Sequence, residues 1–200
     1  MKQLSLDELV TKYANVHDPS LNAAFLGLDE IDWESVHHAY GKASNIPALL
    51  HALLAPERED REFALAILIQ EVCHQGCVFE ASARIVPFLF RILEVPDAPD
   101  RGAIAALLAS LSIGTPGTNK EPKLKWVNAT KGAVEDKLQL LYPFLLDADP
   151  EVRFFIVKAL AEYPGHSQEF LPRLERMLET EADGNVRKAI YDLIYHHREQ

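Results

Sequence analysis

Tyr142-Pro143-Phe144-Leu145-Leu146-Asp147-Ala148-Asp149-Pro150-Glu151-Val152-Arg153 holds a proline inside an apolar run, an aspartate-rich turn, and an arginine that opens a second apolar run. Asp149 before Pro150 predicts a helix start, because aspartate accepts free N–H groups and proline is tolerated in a first turn. After Arg153, the third, sixth and seventh positions are Ile156, Ala159 and Leu160, the spacing of one helical face. The same order recurs around Pro47 with Arg61, Pro87 with Arg101, and Pro172 with Arg187. After those arginines come Ala64, Ile67 and Leu68; Ile104, Leu107 and Leu108; and Ile190, Leu193 and Ile194. Recurrence on this scale predicts stacked antiparallel helical hairpins, an all-α fold of the α-solenoid type.

Working outward, residues 1–200 are expected to form one such domain. Residues 1–44 supply N-terminal capping helices, 45–113 repeats one and two, and 127–200 repeats three and four. Ser5 is placed to cap a helix through Leu9 and Tyr13, and Asp18-Pro19-Ser20 breaks it. Asp32 is read as the cap of a helix carrying Trp33, Val36 and Tyr40, stopped by Gly41; Asn45 is read as the cap of the helix at Pro47. Prolines 47, 87, 143 and 172 lie 40, 56 and 29 residues apart, so the middle interval holds an insertion. It is assigned to a loop over 114–126 containing Lys120, Lys123, Lys125 and Trp126, long enough to suit a partner contact.

Thirty acids against twenty Lys and Arg give a formal charge of −10. With basic residues dispersed, nucleic acid is a poor match, since phosphate contacts dominate such binding. No run is long and apolar enough for a membrane span, and Met1 to Glu8 lacks the pattern of a secretory signal. Cys73 and Cys77 make no disulfide framework, and a cytoplasmic location is expected.

The unit at Tyr142–Arg153, continuing to Ala159-Leu160, resembles the HEAT-repeat family. Asp32-Trp33, Ala39-Tyr40-Gly41 and His74-Gln75-Gly76 with Phe79-Glu80-Ala81 further resemble a group of small bacterial HEAT-like proteins. The resemblance implies a right-handed superhelix whose arginine-bearing helices line the inner, concave side. It also implies structural ladders in which each arginine bonds an acidic turn residue of its own or a neighbouring repeat. Arg61, Arg101, Arg153 with Asp147 or Asp149, and Arg187 with Asp183 are the positions concerned.

Cys73-His74-Gln75-Gly76-Cys77 gathers two thiols and an imidazole, but lacks a fourth ligand for a structural zinc. His37-His38 beside Asp32 and Glu34, and Glu71 near His74, are the candidates for acid–base work. No P-loop, H-E-x-x-H or G-x-S-x-G spacing is present, and no cofactor is expected. The expected function is therefore non-enzymatic: a scaffold whose acidic concave face holds a protein or peptide with a basic surface, in the manner of an immunity or inhibitor protein. Glu59, Asp60, Glu62, His74, Gln75, Phe154, Glu162 and Tyr195 join the four residues of the 114–126 segment as candidate contacts. The alternatives are a HEAT-like lyase or glycosylase acting on a small molecule or nucleobase, and a self-associating structural module.

Overall fold

The computed structural model describes residues 4–14, 16, 18–116 and 120–198, the side chains of 120–123 and 198 excepted. It is mostly helical, and its only strands among the described residues are two of two residues each. The chain groups into two compact units, Met1–Pro99 with Gly114–Thr130, and Asp100–Ile113 with Lys131–Gln200.

In the first unit, α1 (Leu6–Tyr13) starts on a capping box: Glu8 N–H donates to Ser5 Oγ at 3.2 Å, and Ser5 N–H donates to Glu8 Oε2 at 2.9 Å. The helix expected from Asp32 to Gly41 does not form. Instead β1 (His37–His38) pairs antiparallel with β2 (Gly41–Lys42), and Gly41 takes a φ of 144° that side chains rarely adopt. Trp33, Val36 and Tyr40 mimic helical spacing, but they fall in the turns around the two short strands: Trp33 and Val36 are buried while Tyr40 is exposed. The Trp33 indole donates to Leu28 O at 3.0 Å, and Ala39 N–H donates to Glu71 O at 2.9 Å.

Behind the hairpin come α2 (Ile46–Ala52), α3 (Arg58–Val72) and α4 (Glu80–Glu94). α2 packs against α1 and α3, and α4 packs against β1. Asn45 occupies the position before α2, yet its side chain makes no capping bond. α4 runs through Pro87, and Arg91 Nε donates to the Pro87 carbonyl at 3.1 Å. The loop assigned to 114–126 is shorter than expected, because α6 already begins at Lys120 and runs to Glu135 with Pro122 in its first turn. Ahead of it Thr115 is tied down: its N–H donates to Gly76 O at 2.8 Å, and Val78 N–H donates to Thr115 O at 3.1 Å.

The second unit contains α5 (Arg101–Ile113), the end of α6, a 3-10 helix over Leu138–Leu146, α7 (Pro150–Leu160), α8 (Ser167–Thr180) and α9 (Gly184–Arg198). α7 packs against α5, α9 and the 3-10 helix, while α8 packs against α9 and the 3-10 helix. Asp149 caps α7 as its sequence predicts, accepting from Glu151 N–H at 2.8 Å. Of the twelve apolar residues counted from the four arginines, all are buried except the half-buried Ile67. That burial is the main reason these helices hold their places.

Arg101 and Arg153 pair with acidic turn residues, Asp147 and Glu181, in a register that differs from the expected one. Arg153 Nη1 donates to the Asp147 and Ala148 carbonyls at 2.7 and 3.2 Å rather than to an aspartate carboxylate. Its Nε and Nη2 instead make a fork with Glu181 at 2.8 and 2.6 Å. Arg187 donates to the Glu181 carbonyl at 2.9 Å and to Leu178 O at 3.1 Å, leaving Asp183 to cap the start of α9 through Asn185 and Val186 N–H. Arg61 likewise donates to the carbonyl of Ala55, six residues before it, at 3.0 Å. Asp147 pairs with Arg101 at 2.7 Å. For Arg61, Arg153 and Arg187 the residue six places before thus offers its carbonyl to that arginine, and Asp147 and Glu181 also offer their side chains to the arginine before, Arg101 and Arg153.

Candidate functional site

Phe154 and Phe155 lie one after the other on α7 with rings 5.1 Å apart in an edge-to-face contact, and both are only half-buried. They cannot enter the core because Val152, Ile156 and Val157 already occupy the buried side of the helix. Opposite them, α9 presents Asn185, Lys188, Ala189 and Asp192, and the two helices enclose a groove of ≈ 620 Å³ between them. Pro150, Glu151 and Asp183 close one end. A second hollow of ≈ 340 Å³ shares Lys158, Ala189 and Asp192 and extends past Pro164 to His196 and His197. The result is an elongated channel with an aromatic floor.

The charges along it are mixed. Glu151, Asp183 and Asp192 face Lys158 and Lys188, and Lys188 Nζ pairs with Asp192 Oδ2 at 2.7 Å. That pair holds the Asp192 carboxyl below its ordinary value. Tyr195 is 60% exposed on α9, one turn beyond Tyr191, and stacks edgewise with His196. Of the residues expected to touch a partner, Phe154 lines this groove and Tyr195 lies on the same helix as its α9 wall. Phe155, Lys158, Lys188, Ala189 and Asp192 were not singled out from sequence, since their convergence depends on two helices separated by a turn and α8.

The expected acidic face is substantially neutralised. Asp60 is turned inward, with its Oδ2 accepting from Lys12 Nζ at 2.6 Å and Tyr13 OH at 2.7 Å, so it is a structural anion rather than a contact residue. Hydrogen bonds from these two partners outweigh burial and lower its pKa, although burial is the largest single influence. Glu62 pairs with Arg58 at 2.7 Å and Glu162 with Lys131 at 3.2 Å, while Glu59 stays exposed at the start of α3. Lys125 and Trp126 sit on α6 rather than on a loop, with Lys125 Nζ 4.1 Å from the indole ring. Lys120 and Lys123 belong to the same helix, and their side chains fall outside the described residues.

The histidines and Glu71 come together in the first unit. Glu71 is buried and accepts from Asn45 Nδ2 at 2.8 and 3.0 Å, with His38 Nε2 3.7 Å away. His38 Nδ1 accepts from Tyr40 N–H at 3.0 Å, so its other nitrogen is the one turned to the carboxylate. Tyr40 in turn places its hydroxyl 3.0 Å from His74 Nδ1. Gln75 follows in a left-handed turn at φ 51°, exposed to solvent. Cys73 is buried, which pushes its thiol pKa up and makes thiolate chemistry less accessible. Among the described residues no group of three or more His, Cys, Asp or Glu could hold a metal ion.

Burial raises the Glu71 pKa from its ordinary 4.5, with Asn45 and His38 opposing. A raised carboxyl favours folding most when protonated, below the unfolded value, and this advantage is lost as pH rises through the folded value. Asn45 Oδ1 is also buried without a partner, and an amide in place of Glu71 could donate to it. Glu71→Gln should therefore raise stability at pH 8 by about 1 kcal/mol. The gain should shrink toward pH 4, which paired urea titrations at the two pH values would reveal.

No helix among the described residues is long and apolar enough to cross a membrane. In comparison with known proteins, the chain matches no family model, no curated protein and no solved structure.

Proposed function

We propose that the protein is a non-enzymatic binding module of the HEAT-like α-solenoid kind, and that the α7/α9 groove receives a segment of a protein partner. The observation that carries this reading is the half-buried Phe154–Phe155 pair flooring an elongated channel with charged walls. A long groove with aromatic residues and polar edges suits a polypeptide, which can seat apolar side chains on the rings and pair its charges along the rim. The partner segment would carry apolar residues between charges of both signs. This replaces a broadly basic partner, because the groove's own acids are interleaved with Lys158 and Lys188.

Ala189 lines both hollows and is half-exposed, so a long side chain there fills the channel without removing a core residue. Ala189→Arg should weaken capture of a protein partner from a lysate of the source cells by roughly tenfold or more while leaving the unfolding midpoint unchanged. Equal capture by the variant and the wild type would overturn the reading.

A further inference from the structure

Leu146 is 83% exposed at the end of the 3-10 helix, the most exposed large apolar residue among those described. It borders a separate hollow of ≈ 400 Å³ formed with Tyr142, Arg173, Arg176, Met177 and Thr180, away from the residues of the α7/α9 groove. Arg173 and Arg176 stand three apart on α8 and therefore share a face. Their hydrogen bonds go to backbone: Arg173 Nη1 donates to Glu169 O at 2.7 Å, and Arg176 Nε donates to Pro172 O at 3.1 Å. Arg173 also lies over the Tyr142 ring at 4.5 Å.

Neither guanidinium joins a carboxylate in an ion pair among the described residues, in a chain where acids outnumber Lys and Arg thirty to twenty. The nearest candidate, Glu169, instead bonds Tyr142 OH at 3.2 Å and His166 Nδ1 at 3.2 Å. Two arginines held in place from behind by carbonyls and a tyrosine ring keep donors directed outward, and the guanidinium fork matches a carboxylate. Between them and Leu146 lies an apolar hollow.

We infer that this face of α8 and the 3-10 helix binds an acidic peptide segment, seating one apolar side chain beside Leu146 and Met177 with flanking carboxylates on Arg173 and Arg176. The inference goes beyond the α7/α9 reading and does not rest on it. Charge complementarity chooses the occupant: the Glu169 charge reaches Arg173 only through space, since its oxygens bond Tyr142 OH and His166 Nδ1, so carboxylates of a bound segment would make the direct ion pairs that a basic or neutral segment could not.

The test uses the full chain on two immobilised peptide arrays, one with leucine or phenylalanine flanked on both sides by glutamate, the other identical with lysine in place of glutamate. The wild type should be retained on the glutamate array roughly tenfold more strongly than on the lysine array. Arg173→Glu with Arg176→Glu should reverse that preference, and Leu146→Asp should weaken retention on the glutamate array. Ala189→Arg should leave both unchanged, which separates this site from the α7/α9 groove. Because Arg173, Arg176 and Leu146 are exposed, circular dichroism of their variants should be unaltered. No retention on the glutamate array, equal retention on both arrays, or undiminished retention by the double arginine variant would overturn the inference.

Discussion

Glu181→Ala should destabilise the protein by about 4 kcal/mol, the cost of leaving a largely buried charge without its partner. The Glu181 side chain is 2% exposed and that of Arg153 15%, and the two are joined by paired bonds of 2.6 and 2.8 Å. Glu181 Oε1 also accepts from Asp183 N–H at 2.8 Å, so truncation releases the turn that leads into α9. The arginine's hydrogen bonds lower the Glu181 pKa from its ordinary 4.5. A depressed carboxyl contributes stability above its unfolded value and loses it as pH falls through the folded value. The difference between wild type and variant should therefore narrow in acid below about pH 4.

A double replacement, Arg153→Met with Glu181→Leu, separates charge from shape. It removes both ions together, so the loss should fall to about 2 kcal/mol, the remainder reflecting the carbonyls of Asp147 and Ala148 that Arg153 no longer serves. Urea unfolding of the single and double variants would measure the coupling. A double variant as unstable as the sum of the singles would show that the pair is not a unit.

Phe170→Ala should cost about 4 kcal/mol as well, through lost burial and a cavity that the surrounding helices only partly close. Phe170 is completely buried on α8, with its ring 5.9 Å from that of His197 on α9. Phe170→Leu, which retains most of the volume, should cost only about 1 kcal/mol. If the two variants unfolded at the same denaturant concentration, the site would be tolerant of cavities and α8 would not be held by this side chain.

Much of the helical architecture was legible from local chemistry. Ser5 and Asp149 cap where capping residues should, and the positions counted from each arginine point into the core because a helix turns by a fixed angle per residue. Those rules are local, and the failures occur where distant contacts decide. Trp33, Val36 and Tyr40 have helical spacing, yet Gly41 and the bond from Ala39 N–H to Glu71 O turn the segment into a hairpin. Glu59, Asp60 and Glu62 read as one acidic patch, but residues adjacent on a helix diverge by about 100°. Asp60 accordingly turns inward to Lys12, which is 48 positions away in sequence.

The ladder register had a signal that went unread: an acid six residues before Arg153 and before Arg187, Asp147 and Glu181 respectively. At the equivalent place before Arg101 stands Val95, so the pattern is incomplete and easily missed. Phe154 and Tyr195 stood out because they lie off the apolar stripe. The rest of the groove did not, because Lys158, Lys188 and Asp192 are ordinary surface residues until α7 and α9 bring them together.

Amide hydrogen exchange of the protein, alone and with the partner it captures, tests the central claim most directly. The account predicts protection concentrated in residues 150–161 and 184–197, the two walls of the groove, and its loss in Ala189→Arg. Protection confined to α3 or α6, with α7 and α9 exchanging as in the free protein, would contradict it.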